Sequence, residues 1–323
     1  VSLTDAVAAL RAHQRLVVAC HEAPDGDALG SLVGCGRALR DAGWDVVLWA
    51  PGEAPLPADY AWLGYDDLVR QAPLDLAERL LLTLDCGSAL RLGRDGEAAV
   101  ARAAGSVNID HHADNTHFAA VNVVDPTAAC ATVLCLRLLR QLELPVVGAT
   151  AEALYVGIVT DTGRFMFSNT NAEAHIAAAD LIAQGVEPDT VFRHLYEGKP
   201  AARVRLLARA LATLDLRAGG RLAVACISLD DLEQSGADEA DSEGVIDHLR
   251  AITGVEVAAV IREPRSGGGV LKKVSLRSAQ PHVDVAQIAH VGGGGGHAMA
   301  AGFAMEGSFA QVIDLIETEL ARA

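Results

Sequence analysis

Three short strand-like stretches in this chain, two of them continuously apolar, end on the same kind of residue. Leu16–Cys20 runs into His21, Leu80–Leu84 into Asp85, and Ser106–Ile109 into Asp110-His111-His112. Short continuous apolar runs read as buried strands. Separated by helical stretches, they predict a parallel α/β sheet. Ligands of open parallel sheets gather beyond the carboxyl ends of the strands. The three acidic or histidine termini are therefore expected to meet in one crevice.

The first of these ends is a loop, His21-Glu-Ala-Pro-Asp-Gly-Asp-Ala-Leu-Gly-Ser31, with a helix predicted from Leu32 to Asp41. One imidazole and two carboxylates, His21, Asp25 and Asp27, suit a hard-to-borderline divalent cation. By itself the loop is equally well a Pro-Asp-Gly turn with a helix cap. Asp161, at the end of a predicted helix over 149–161, is a fourth converging site. Seven side chains then become available: His21, Asp25, Asp27, Asp85, Asp110, His111 and Asp161. They are too many for one tetrahedral ion and suit two ions sharing a carboxylate, the arrangement used for in-line attack on phosphorus. Each residue also has an ordinary structural reading. Asp85 and Asp161 can simply end a strand and a helix, Asp110 can orient its neighbours, and the two histidines can be solvated. His13, His117, His175, His194, His248, His282 and His290 are expected to be structural or solvated.

Composition narrows the function classes. Hydrophobic residues make up 51% of 323, enough for a large core and two domains. Acidic residues number 42 against 26 basic, a net charge of −16, so no long-nucleic-acid complex is expected. Aromatics, at 4%, are too few for extended base-stacking platforms. No apolar run reaches a membrane span of about 20 residues, and no secretory signal is read at the N-terminus. The six cysteines form no CxxC pair, as expected of reduced core residues in a cytoplasmic protein.

The spacing predicts helices over 3–13, with Thr4 as cap, and over 127–142, 172–184 and 201–213. In the second half, strands are expected at 221–228, 256–262 and 270–277. Helices are expected at 244–252, 283–289 and 308–321. A catalytic domain over 1–187, a linker over 188–202 and a smaller α/β domain over 203–323 follow. Around 261–278 five basic residues, Arg262, Arg265, Lys272, Lys273 and Arg277, face one acid, Glu263. On the last strand Lys273, Ser275 and Arg277 share a face while Lys272 points away. Lys272 and Arg265 are expected to be solvated. Gly292–Gly296 is expected to free backbone N–H groups for an anion, with His297 as a further donor and an apolar helix-like stretch after it. Arg262, Lys273, Ser275, Arg277, Gly294, Gly295, Gly296 and His297 form the predicted substrate grip. Asn115 and Arg164, just beyond the metal motifs, are further candidates for a phosphate oxygen.

The set His21-x-x-Pro-Asp-x-Asp-Ala-x-Gly-Ser31, Asp85, Asp110-His-His112 and Gly157-Ile-x-Thr-Asp-Thr-Gly163 resembles the DHH phosphoesterases. Residues 292–302 resemble the GGGH motif of their associated C-terminal domain. The resemblance spans nearly the whole chain and is nearest to the NrnA-like group, nanoRNases that also dephosphorylate 3′-phosphoadenosine 5′-phosphate (pAp). It implies a parallel-sheet catalytic domain, a smaller C-terminal α/β domain and an active site in the cleft between them. It implies two manganese ions, with magnesium or cobalt as substitutes. By motif position His21 and Asp25 would hold the first ion, Asp27, His111 and Asp161 the second, and Asp85 both. His112 would face the scissile phosphate, and Asp110 would support the histidines. Catalytic roles thus fall to His112, Asp85 and Asp110. Gly292 stands where such chains commonly carry Phe, and a fifth glycine would loosen the loop.

The expected activity is hydrolysis of short oligoribonucleotides to mononucleotides and of pAp to AMP, with those molecules as partners and a homodimer left open. A cyclic di-AMP or pApA phosphodiesterase is the nearest alternative. A RecJ-type exonuclease, a type II pyrophosphatase and a non-catalytic nucleotide sensor fit less well. Gly26, Gly30 and Gly34 invite comparison with a dinucleotide-binding turn, but they do not form GxGxxG.

Overall fold

The computed structural model describes residues 2–322, which divide into two compact units at Gly198 and Lys199. The first contains α1 (Leu3–Arg11), β1 (Arg15–Ala19), α2 (Gly26–Asp41), β2 (Asp45–Trp49), β3 (Leu80–Leu84), α3 (Gly96–Arg102), β4 (Gly105–Asp110), β5 (Val121–Val124), α4 (Ala131–Gln141), α5 (Gly148–Asp161), α6 (Ala172–Ala183) and α7 (Pro188–Tyr196). Its five strands are all parallel, in the order β2-β1-β3-β4-β5. The three strand-like stretches seen in the sequence are the three central strands. Chain direction across the sheet reverses between β1 and β3, the topological switch point where such sheets leave a crevice.

Helices α2, α4 and α5 pack on one face in the larger core, with Leu29, Leu32, Leu134 and Leu154 fully buried or nearly so. The other face is thinner. Val17, Ala19, Trp49, Leu81, Leu92 and Ala99 form a small separate cluster beneath α3.

Gly26, Gly30 and Gly34 have a packing role. They lie on one stripe of α2 at i, i+4 and i+8. A Cβ at Gly30 would overlap the Ala153 carbonyl, at Gly26 the Thr160 side chain, and at Gly34 Leu154. These glycines let α2 and α5 approach backbone to backbone, which holds the first turn of α2 beside the last turn of α5.

Helix α1 is capped by Ser2, not Thr4. Asp5 accepts from the Ser2 backbone N–H at 2.8 Å, whereas Thr4 Oγ1 accepts from Gln141 at 3.0 Å. The expected linker is largely a helix. Val191 and Leu195 of α7 are buried in the first unit's core, and Pro188 at the first helical position starts it.

The second unit contains α8 (Ala201–Ala212), β6 (Asp215–Arg217), β7 (Leu222–Ile227), α9 (Leu229–Ser235), α10 (Val245–Arg250), β8 (Val257–Arg262), β9 (Leu271–Ser278), α11 (Val285–Val291), β10 (Gly295–His297), β11 (Ala300–Glu306) and α12 (Phe309–Leu320). Its mixed sheet has the order β10-β11-β9-β8-β7-β6. The stretch after the glycine run is strand, not helix: β10 and β11 form an antiparallel hairpin with His297 opposite Ala300.

The glycine run is also less loose than expected. Gly292 caps α11, and the Gly294 N–H bonds the Ala289 carbonyl at 2.8 Å. A side chain at Gly292 would collide with the Phe303 ring, so the aromatic group at this corner comes from β11. Among the described residues, no helix is long and apolar enough to cross a membrane.

Candidate metal centre

Every candidate metal-ligating residue lies at one end of the first sheet. His21 follows β1, Asp85 follows β3, and Asp110, His111 and His112 end β4. Asp25 caps α2, Asp27 sits in its first turn, and Asp161 is the last residue of α5. Asp85 adopts φ 56°, a left-handed conformation costly for a residue with a Cβ. Its N–H still bonds the Ile109 carbonyl at 3.0 Å, so the turn begins at the strand's last rung.

The two oxygens of Asp85 face different imidazoles. Oδ2 is 3.6 Å from His21 Nε2, and Oδ1 is 3.5 Å from His111 Nε2. Around the first, Asp25 Oδ1 stands 4.0 Å from His21 Nε2. Around the second, Asp161 Oδ2 stands 4.0 Å from His111 Nε2, and Asp27 completes a close group with both. Asp85 is 3% exposed, and its Oδ1 has no hydrogen-bond partner among the described residues. A buried, orphaned carboxylate oxygen is costly unless a cation meets it. Two oxygen or nitrogen ligands each about 2.1 Å from one ion stand about 3 to 3.5 Å apart. The donor set and the orphaned oxygen therefore fit two divalent cations.

Surrounding groups fix each ligand. His21 Nδ1 is 2.8 Å from the Glu22 carbonyl, leaving Nε2 for the centre. Asp25 Oδ1 accepts the N–H groups of Asp27 at 3.1 Å and Ala28 at 3.0 Å. Asp27 is buried, accepting from Ala131 N–H at 2.7 Å, Thr132 N–H at 3.0 Å and the Thr132 hydroxyl. Gly157 makes room for this arrangement, since a Cβ there would overlap Thr132 Oγ1 and crowd Asp27. Asn169 donates to Asp161 at 3.1 Å.

Charge crowding shows in the titration behaviour. Burial, reinforced by Asp85 and Asp161, pushes Asp27 well above the usual carboxylate range. Burial and the charges of Asp85 and Asp25 push Asp161 up to about 6, against the opposing pull of His111. Burial would also raise Asp85, but His111 and His21 outweigh it and hold that carboxyl low. Burial would depress His111, yet Asp85, Asp27 and Asp161 raise it to about 10. Without cations the cluster holds itself together by retaining protons.

His112 is placed differently. Its Nδ1 is 2.7 Å from Asp110 Oδ1, and this bond raises its pKa, with burial opposing. Asp110 is fully buried. The bond commits Nδ1 and leaves the other ring nitrogen for another partner.

Asn115 corrects an expectation. Its amide donates to Asp110 Oδ2 at 2.6 Å and to the Cys86 carbonyl at 3.2 Å, and its oxygen accepts from His117 N–H at 2.7 Å. With its donors and acceptor engaged, it positions Asp110 and has none left for a phosphate. Arg164 is exposed and lies 5.1 Å over the Tyr196 ring.

In the second unit, Arg262, Ser275 and Arg277 line one cavity of about 350 Å³. Arg262 donates to Ser242 at 2.8 Å and Ser275 at 3.2 Å, and its buried Nε has no partner among the described residues. Burial lowers its pKa. The sequence reading missed Glu239, Glu243 and Asp247 in the same lining, because acids on a separate segment carry no motif. Lys273 is exposed on the predicted face but lies outside that lining, as does His297. Gly294 is pressed against the Gly302 carbonyl, and Gly295 and Gly296 pair with Gly302 and Ala301. Lys272 is buried, not solvated: it pairs with Glu263 at 3.2 Å, donates to the Gly269 carbonyl at 2.5 Å and lies over the Phe309 ring.

A crevice holding this donor set at the switch point of a parallel sheet is a candidate centre for divalent cations, and the chain belongs to the DHH family. Residues 15–158 match the DHH family, N-terminal domain, and residues 206–322 match the DHHA1 domain. Over 319 residues the chain is 32% identical to the bifunctional oligoribonuclease and PAP phosphatase NrnA of Thermus thermophilus, covering 95% of this chain and 91% of that one. It is 25% identical over 302 residues to the protein of that name from Bacillus subtilis, covering 93% and 92%. Two solved structures share the fold. An exopolyphosphatase-related protein from Bacteroides fragilis matches with TM-score 0.90 and 22% identity over 99% of this chain and 95% of that one. RecJ from Thermus thermophilus in complex with Mn2+ matches with TM-score 0.55 and 18% identity, over 99% and 55%.

Proposed function

We propose that this protein is a two-metal phosphohydrolase that degrades short oligoribonucleotides and removes a phosphate from pAp. The observation that carries the reading is Asp85. It is buried, one oxygen is orphaned, and its two oxygens face two separate imidazole-carboxylate groups. The names of the relatives at 32% and 25% identity supply the substrate class.

His21 and Asp25 would hold one ion, Asp27, His111 and Asp161 the other, and Asp85 both. Manganese is the metal of choice, as in the RecJ structure with which the chain shares its fold. Two such ions supply Lewis acidity toward phosphoryl oxygens and a nucleophile from water at neutral pH. The residues do the rest. The Asp110–His112 pair presents a protonated imidazole to the phosphate and stabilises its developing charge. Asn115 holds Asp110 in place. In the second unit Arg262, Ser275 and Arg277 grip the substrate's second phosphate, with Lys273, His297 and the adjoining glycines as outer contacts. The expected setting is the cytoplasm.

The test is turnover of pAp, the dinucleotide pApA and cyclic di-AMP with manganese, comparing the wild type with Asp85→Ala. The wild type is expected to hydrolyse pAp and pApA. The variant should fall by roughly 10³-fold or more on each, the scale of removing a principal electrostatic element. An intact pAp and pApA after incubation with wild type would refute the proposal. Preference for cyclic di-AMP would move the assignment to a cyclic-dinucleotide phosphodiesterase.

A further inference from the structure

The first unit contains a second cavity, about 1100 Å³, that the metal centre does not use. It opens beyond the carboxyl end of β2, on the thinly covered face of the sheet. Its floor is Trp49, Leu92 and Ala99, and its wall toward the metal centre is Glu22. Nucleotides and other phosphorylated ligands commonly bind beyond the carboxyl ends of such strands.

Three features give the cavity a chemical preference. Trp49 is 2% exposed, and its indole Nε1–H has no acceptor among the described residues. The Arg70 Nε–H is likewise buried without an acceptor, although the same guanidinium donates to the Pro51 carbonyl at 3.1 Å and the Gly52 carbonyl at 2.8 Å. Both are donors, and a buried donor without an acceptor is unfavourable. Arg94 and Arg102, both exposed, also line the cavity and have no hydrogen bond or ion pair among the described residues. Glu53 and Asp95 share the lining, and the two unpaired guanidinium groups at the cavity's edge offer a position for an anion.

We infer that this cavity is a second ligand site, separate from the metal centre, that takes a phosphorylated molecule of nucleotide size. Acceptor atoms of a planar group meet Trp49 Nε1 and Arg70 Nε on the apolar floor. The phosphate meets Arg94 and Arg102. Glu22, exposed in the wall, is placed to accept from hydroxyl or amino groups. The volume exceeds what an inorganic oxyanion needs and lies just above the usual span of small-molecule sites, about 300–1,000 Å³.

The site also adjoins the catalytic ligands through one residue. The Glu22 carbonyl lies 2.8 Å from His21 Nδ1, its N–H bonds the Arg91 carbonyl at 2.6 Å, and its side chain packs on Gly52 and Gly93. A ligand that shifts Glu22 would therefore act on the orientation of His21.

The probe is AMP, with inorganic phosphate as the second arm, followed by indole fluorescence of the full chain treated with chelator. Trp44 and Trp62 are replaced by Phe so that Trp49 alone reports. AMP is expected to change the emission saturably, and phosphate to do so at least tenfold more weakly. Arg94→Glu/Arg102→Glu should weaken the AMP response at least tenfold while leaving the melting temperature unchanged, since neither side chain has a partner to lose. No saturable response at millimolar AMP would overturn the inference, as would equal binding by the double variant. Phosphate binding as tightly as AMP would overturn the nucleotide-sized assignment. Should the fluorescence background fail to fold, calorimetric titration of AMP into the otherwise wild-type chain and the Arg94→Glu/Arg102→Glu chain decides by the same tenfold difference. None of these readouts depends on hydrolysis, so they stand or fall apart from the proposed activity.

Discussion

The two units solve charge recognition in opposite ways. At the metal centre, four carboxylates and three imidazoles are packed into a crevice, each oriented by the backbone or by a buried neighbour. Asp27 is held by two N–H groups and a hydroxyl, and Asp25 by two N–H groups. The second unit instead presents Arg262, Ser275 and Arg277 around a small cavity, with Lys273 and His297 exposed beyond it. The first arrangement is rigid because like charges must be forced together. The second sets its two arginines among Glu239, Glu243 and Asp247, so opposite charges already meet around the cavity. Substitutions in the first unit should therefore act on rate and stability, and those in the second on affinity.

Asp85→Ala, expected to cost roughly 10³-fold in turnover or more, is the sharpest probe of the first half of that contrast. Gly157→Ala comes next. Its added methyl meets Thr132 Oγ1 on α4 and Asp27 on α2, both buried and hydrogen-bonded to each other, so neither can retreat. Overpacking of this kind costs about 1–3 kcal/mol, and thermal unfolding should show it together with weaker manganese binding. An unchanged melting temperature and metal affinity would mean that the crevice is softer than argued.

Asp110→Asn and Asn115→Ala test whether the relay to His112 positions a catalytic group. Loss of an outer partner of this kind typically costs 10–100-fold. The expected effect is on kcat with KM nearly constant, and Asn115→Ala should be the milder change. An effect of Asn115→Ala on KM alone would return that residue to the substrate. In the second unit, Arg277→Ala should raise KM for pAp about tenfold, on the scale of losing one charge-assisted hydrogen bond. His297→Ala should act in the same direction and less, because His297 lies outside the cavity lining. Equal losses of kcat from either would break the division of labour between the units.

The convergence of the candidate metal ligands was legible because each follows a strand or borders a helix end that the apolar pattern locates. His21, Asp85 and Asp110 are read off three strand termini. The parallel order then forces their convergence. The supporting partners were less so. Asn115 looked like a substrate contact because sequence spacing places it beyond the histidines but cannot show that Asp110 and Cys86 already occupy its amide. Lys272 looked solvated because a lysine in a basic strand usually is, and its burial depends on Glu263 and Phe309 being on the same side. The glycine run misled in a related way. Composition suggested a loose loop, whereas the Phe303 ring and the Gly302 carbonyl require glycine for close packing. Gly26, Gly30 and Gly34 were visible as a pattern, but only the partner helix reveals what the pattern is for. The Trp49 cavity left no motif at all, since its residues come from separated loops.

The smallest predicted effect concerns protons, and it separates the two units most directly. In the cation-free protein His111 keeps its proton up to about pH 10, and Asp161 titrates at about 6. Both must be deprotonated to ligate a metal ion. Manganese binding at pH 7.5 should therefore release about one proton from His111, more from Asp27 as far as burial keeps it protonated, and only a small fraction from Asp161. Metal affinity should fall as pH drops below 10, because a growing share of His111 is protonated, and more steeply below 6, where Asp161 joins it. Calorimetric titrations in buffers of different ionisation enthalpy measure that release. Binding of pAp by Arg262, Ser275 and Arg277 of the second unit would involve no group required to deprotonate, so its heat should not depend on the buffer. Metal binding without proton release at pH 7.5 would show that the carboxylates do not hold His111 charged. The contrast between a centre held by shared protons and an open cavity of mixed charge would then fail at its electrostatic root.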